Sequence, residues 1–237
     1  MKIKLLTASI VPSLLTSVLL SQSVYAADLE ITITNATQGI YYTPLVVAAH
    51  GGDAKMFNTG DMASTELQAL AEGGDISAMV TLLNSVSADI SENPAAGLLA
   101  PGKSTTAMLM TTAGNDYLSI AAMMLPTNDG FVGLNSWMIP TEAGTYTFTL
   151  NAYDAGTEVN DEIINGGGAP GALGIPVDPG MAGGTGAAGI TSTESNTYVH
   201  IHRGNVGDAD EMGGASDLSN TVHRWLNPVA VVTVVVK

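Results

Sequence analysis

The chain has 237 residues, no cysteine, 46% hydrophobic residues and only 5% aromatics, and it sets seven Lys and Arg against 22 Asp and Glu for a formal charge of −15. That balance excludes a nucleic-acid or anionic-lipid surface, which needs clustered basic residues, and it favours cations as partners. Without cysteine there are no disulfides, so stability must come from a core of Val, Ile, Leu, Met and Ala and from any bound metal, with 11 Met as adaptable filler.

Residues 1–26 read as an export signal. Lys2 and Lys4 form the positive start, Leu5 to Leu20 the apolar stretch, and Val24-Tyr25-Ala26 the small-residue cleavage site. The apolar run is broken by Thr, Ser and Pro12, which argues against a membrane anchor, and no later segment has the length and apolarity of a membrane span. The predicted mature chain, 27–237, begins near Ala27. It keeps five basic residues against all 22 acids, a charge of −17. The expected location is outside the cytoplasm: periplasm, cell surface or secreted.

Asp28 to Asn35 alternates Leu29, Ile31 and Ile33 with polar residues, the period of a half-buried strand. A second strand is expected over Ile40 to His50, with Pro44 marking an edge or bulge. Thr65 to Glu72 is built of helix formers and stops at Gly73-Gly74. Asp75 is placed to cap a second short helix, Ile76 to Asn84, with Ile76, Met79, Val80 and Leu83 on one face. These helices form an insertion between strands. Ser104 to Thr111 and Tyr117 to Leu125 follow. The second is nearly all apolar and short, as for a central strand covered on both faces.

Next come two acidic loops flanking strands Phe131 to Met138 and Gly144 to Leu150. The first offers Asp129, the second Asp154 and Glu158. Carboxylates at the ends of neighbouring strands can converge, and hard oxygen ligands suit Ca²⁺. Leu-Pro-Thr-Asn-Asp-Gly-Phe-Val-Gly (125–133) and Tyr-Asp-Ala-Gly-Thr-Glu (153–158) resemble the two acidic motifs of the spondin N-terminal domain. The order and the interval between them fit as well. The resemblance implies an antiparallel β-sandwich of exported adhesion proteins, with Asp129, Asp154 and Glu158 as calcium ligands. Three departures stand out: Glu158 replaces an Asp, Gly130 replaces a Trp, and the cysteines of the animal domains are missing.

Residues 166–189 are rich in Gly, Ala and Pro and are expected to form a mobile surface loop that folding can dispense with. His200 and His202 are two apart on a predicted strand, Thr197 to Arg203, and share a face. With His223 they offer an alternative three-histidine zinc site for a hydrolase. No His-Glu-x-x-His, Gly-x-Ser-x-Gly or phosphate loop accompanies them. Asp208, Asp210 and Glu211 are a further acidic loop without EF-hand spacing. The β-branched run Val229 to Val236 suits the sheet interior.

The sequence therefore predicts a mainly β chain, an antiparallel β-sandwich with a short helical insertion. Its expected function is that of a non-catalytic calcium-binding module for adhesion, with an extracellular protein or glycan as partner.

Overall fold

The computed structural model describes residues 26–180, 183–193, 195–210 and 212–237. The export signal read over 1–26 thus lies, apart from Ala26, outside the described residues.

Ten strands and two helices follow in chain order: β1 (Asp28–Asn35), β2 (Tyr41–Tyr42), β3 (Val46–His50), α1 (Thr65–Gly73), α2 (Ser77–Ser85), β4 (Asp89–Glu92), β5 (Ser104–Met110), β6 (Tyr117–Leu125), β7 (Gly130–Met138), β8 (Gly144–Asp154), β9 (His200–Ile201) and β10 (Ala230–Val236). The strands lie in the order β4-β3-β6-β7-β8-β10-β1-β5, with β2 on β6 and β9 on β8. Every pairing between these strands is antiparallel.

β8 explains how one sheet makes two layers. Its first part, Gly144 to Leu150, pairs with β10, and its last four residues, Asn151 to Asp154, pair with β7. The strand therefore leaves one half of the sheet and enters the other, and the halves face each other across a shared core. The open ends approach as well. At the start of β4, Asp89 accepts hydrogen bonds from the Thr112 amide and hydroxyl just beyond β5. The expected sandwich is thus a single, nearly closed antiparallel sheet.

The core between the halves holds Leu29, Ile31 and Ile33 from β1, Val232, Val234 and Val236 from β10, and Leu118, Ile120, Ala122 and Met124 from β6. The opposite face of β6 presents Ala121 to a second core, where Val46, Ala48 and Phe131 meet Leu67 and Leu70 of α1 and Met79, Val80 and Leu83 of α2. β6 is covered on both faces, which is why its sequence is an apolar run and not an alternation. Phe57 lies edge-on to Phe131 with centroids 5.0 Å apart. It sits over Gly133, where a Cβ would come within 2.7 Å of its ring.

Local signals account for the helix ends. Ser64 caps α1 by accepting from the Leu67 amide, and Gly74 closes it at φ 68°. Asp75 does not cap α2 as predicted. Its carboxylate accepts from Ser77 N, two residues on, while Ile76 occupies the cap position without a side-chain bond. Thr43 and Pro44 divide the predicted strand 40–50 into β2 and β3, and the predicted strand 197–203 shrinks to β9. No helix among the described residues is long and apolar enough to cross a membrane.

The Gly-rich segment is more tightly held than its composition suggests. Ile175 is fully buried and bridges to Ile164. The Gly168 carbonyl lies so close to Gly73 that a Cβ there would meet it at 2.0 Å. Gly171 N donates to the buried Glu72 carboxylate at 2.6 Å. Apart from Ile175, backbone groups, which composition does not weigh, provide the anchoring that apolar side chains do not.

Candidate metal centre

The turn from β6 to β7 carries Asp129. Thr127 shapes it, accepting from the Gly130 amide at 3.0 Å and donating to Met124 O at 2.6 Å. In the sheet register Gly130 stands opposite Asp154, the last residue of β8. Antiparallel pairing of β7 with β8 thus brings two acids 25 positions apart in sequence to the same end of the sheet. Beyond Asp154 the chain turns tightly at Gly156, φ 70°, where a Cβ would meet the Thr197 backbone at 2.6 Å. That turn sends Glu158 back toward Asp129.

All three carboxylates are buried. Oδ2 of Asp129 accepts from the Thr157 amide at 2.7 Å, the Glu158 amide at 3.1 Å and the Thr157 hydroxyl at 3.2 Å. Oδ1 of Asp154 accepts from Gly156 N at 2.8 Å and Oδ2 from the Asn160 amide group at 2.7 Å. Oε2 of Glu158 accepts from Gly174 N at 3.0 Å. The other oxygens of two of these acids, Asp129 Oδ1 and Glu158 Oε1, are buried and have no hydrogen-bond partner among the described residues.

The electrostatics follow from that burial. Removal from water, and then the charge of Asp154, push the Asp129 carboxyl up to about 7 against the opposing pull of the Thr157 and Glu158 amides. Burial pushes Glu158 up to about 8, with further repulsion from Glu72 and Asp129. Neither Glu72, which reads as an ordinary helix residue of α1, nor Gly174 in the Gly-rich segment carries a motif that would mark it as a neighbour of Glu158. Among the described residues no three His, Asp or Glu side chains already stand at the spacing of a metal centre.

The histidines do not form the alternative site. His200 Nδ1 donates to Tyr198 O at 2.8 Å and lies 3.8 Å from Asp154 Oδ1. His202 packs against Trp225, ring centroids 4.8 Å apart, and its Nδ1 accepts from Gly204 N. His223 Nδ1 accepts from Ser219 N, and its Nε2 lies 3.2 Å from Asp178 Oδ2. Each ring has its own local partners, and the three do not make a shared ligand set. β9 ends at Ile201, so of this pair only His200 lies within a strand, although the His202 amide still donates to Ala152 O of β8.

The further acidic loop is also accounted for. Asp208 Oδ1 accepts from Asp210 N and Oδ2 from Ala215 N and Ser216 N, while Glu211 lies outside the described residues.

With the two acidic turns and their sheet in place, comparison with known proteins is decisive for the family. A family model described as Spondin_N matches residues 30–161, from β1 to just past Glu158. The chain belongs to the spondin N-terminal domain family. The match spans Asp129, Asp154 and Glu158, so the motifs that carried the resemblance lie inside it. Among curated proteins none matches. The spondin match stops before β9 and β10, yet β10 lies between β8 and β1 in the sheet, so the folded domain extends beyond the matched residues.

Proposed function

We propose that this spondin domain is an extracellular, non-catalytic interaction module, and that Asp129, Asp154 and Glu158 take up a calcium ion. The observation that carries the proposal is the pair of buried carboxylate oxygens, Asp129 Oδ1 and Glu158 Oε1, that no group among the described residues satisfies. Leaving a buried acceptor unpaired costs about 1–3 kcal/mol, more when it is charged. A hard cation with a preference for carboxylate oxygen relieves that cost. The donor set fits the ion: oxygen only, from two loops, with backbone amides, the Thr157 hydroxyl and the Asn160 side chain on the remaining oxygens.

When bound, calcium supplies positive charge that cancels the repulsion among the three acids and ties the β6–β7 turn to the exit of β8. Binding would require the carboxylates to draw closer than they stand here, so the proposal concerns a site that closes on its ion. The partner presented with this end of the sheet is an extracellular protein or glycan. The zinc-hydrolase reading has no geometry to support it, since His200, His202 and His223 are separately engaged.

Calorimetry on chelator-stripped protein tests the proposal. Wild type is expected to give saturable calcium heat, and Asp154→Asn, which keeps an acceptor oxygen but loses the charge, to lose most of it. No heat from wild type, with no rise in melting temperature on adding calcium, ends the proposal.

A further inference from the structure

Beyond the matched residues the chain builds a feature of contrary charge. A hollow of ≈ 500 Å³ is lined by Arg203, Asn205, Arg224, Trp225 and Leu226. Two of the five basic residues that follow residue 26 meet there, in a chain with 22 acids, and no acid lines it. Both arginines are exposed. Arg203 donates one Nη2 bond to Asn160 O at 3.2 Å, and Arg224 donates from Nε to Val206 O. Their other guanidinium N–H groups make no hydrogen bond among the described residues, and neither side chain has an ion-pair partner there.

Besides the arginines, the lining includes Trp225, which packs against His202. Because Gly204 N donates to Nδ1 of His202, the neutral ring carries its proton on Nε2. Burial, then the charges of Arg203 and His200, push His202 down to about 3, so the ring stays neutral. The Nε1 of the lining residue Trp225 is buried and unpartnered among the described residues, as is Nε2 of His202, which lies against Trp225 and does not line the hollow itself. Asn205 places its amide donor on Pro126 O. A site of donors with no charged acceptor selects an oxyanion, and a planar guanidinium matches a carboxylate in two parallel bonds.

Two observations narrow the ligand further. Trp225 is only 8% exposed, so its ring face is not open for a sugar to stack on. Leu226, by contrast, is 82% exposed beside the arginines and offers an apolar contact. We propose that this hollow binds the carboxylate of a peptide, gripped by Arg203 and Arg224, with an adjoining apolar side chain laid on Leu226. The site stands on its own residues and does not depend on calcium. It does share a strut with Asp154: Arg203 holds the Asn160 carbonyl, and the Asn160 side chain holds Asp154.

The test uses the tripeptide N-acetyl-Ala-Ala-Leu as the free acid and as its C-terminal amide. Binding is read by calorimetry and by Trp225 fluorescence in protein carrying Trp137→Phe. The acid is expected to bind about tenfold or more tightly than the amide, and each of Arg203→Gln and Arg224→Gln to weaken the acid about tenfold, as loss of a charge-assisted bond implies. Leu226→Ser should weaken acid and amide alike. Arg224→Gln leaves Asn160 untouched and so separates loss of the anion site from a disturbed loop, with the melting temperature as the check on folding. Acid and amide binding equally, or both arginine variants binding like wild type, would overturn the proposal. A uronic-acid disaccharide, or inorganic sulfate alone, binding as tightly as the peptide acid would overturn the peptide assignment.

Discussion

Asp129 and Asp217 are both buried aspartates in loops, and they are in opposite conditions. Asp217 has both oxygens occupied: Oδ2 accepts from Ile164 N, and Oδ1 from the Thr185 amide and hydroxyl and from Ala187 N. Burial alone would raise its carboxyl, but the amides of Ile164, Ala187 and Thr185 outweigh burial and hold it below the usual carboxylate range. Asp129 has three donors crowded on one oxygen, none on the other, and a second carboxylate as neighbour, so its carboxyl rises. The contrast teaches that burial of an acid does not mark a metal ligand. What distinguishes the two is whether the protein itself completes the shell. Asp217 is a fastener for loops that contain little apolar surface, whereas Asp129 is incomplete.

The largest expected effect comes from removing the fastener. Asp217→Ala leaves three amides and a hydroxyl without their acceptor, so it should lower stability by about 3 kcal/mol or more, equally with calcium or with chelator. A loss that calcium reverses would mean that Asp217, too, is a ligand. Next in size is the ion itself. If calcium binds the folded state alone, a concentration a hundredfold above its dissociation constant should stabilise the domain by about 2.7 kcal/mol. Thermal melting with and without chelator measures it, Asp154→Asn should remove most of the difference, and Glu158→Asp should retain it.

A smaller effect is expected from pH in the chelated protein. In the unfolded chain Asp and Glu lose their protons near pH 4, whereas in the ion-free fold Asp129 and Glu158 hold theirs to about 7 and about 8. Between those limits the folded state binds more protons, so stability is greatest at the acidic end and falls as pH rises through the folded values. Saturating calcium holds the charged forms and should flatten that fall. A stability of the chelated protein that rises over the same range would contradict the assignment of raised carboxyls. The smallest effect should come from Asp208→Asn. This carboxylate is held low by the Ser216, Asp210 and Ala215 amides, and the variant keeps one acceptor oxygen for the Ala215 and Ser216 amides while the exposed Asp210 amide turns to water. Its melting curve should stay near wild type and respond to calcium as wild type does.

The strands that build the sheet were largely legible, because burial on one face writes a period of two into the sequence and burial on both faces erases it. β1 shows the first pattern and β6 the second. β4, with sequence Asp-Ile-Ser-Glu, carries neither and was not foreseen; it is four residues long and at the edge of the strand order. Asp129, Asp154 and Glu158 were nameable because their turns carry motif residues at fixed intervals. Glu72 was not, since nothing within α1 says that its carboxylate meets Gly171 from a loop 99 positions away. The same reason misled the reading of residues 166–189. Their hold on the fold comes from backbone amides donating to distant acids, and an amide looks the same at every position in a sequence.

β10 follows every other strand in the chain, yet it lies in the middle of the sheet, with β1 on one side and β8 on the other. Leu29 faces Val236 across 207 positions of sequence. While the chain is being made, the β6–β7–β8 meander can pair locally and β1 can pair with the distant β5, but the strand that fills the gap between β8 and β1 is missing until residues 230–236 arrive. The domain is therefore assembled by the late insertion of one β-branched strand between two waiting edges, a long-range closure that should make folding slow relative to helical chains of similar size. Until that strand docks, both edges remain open to pairing with other chains.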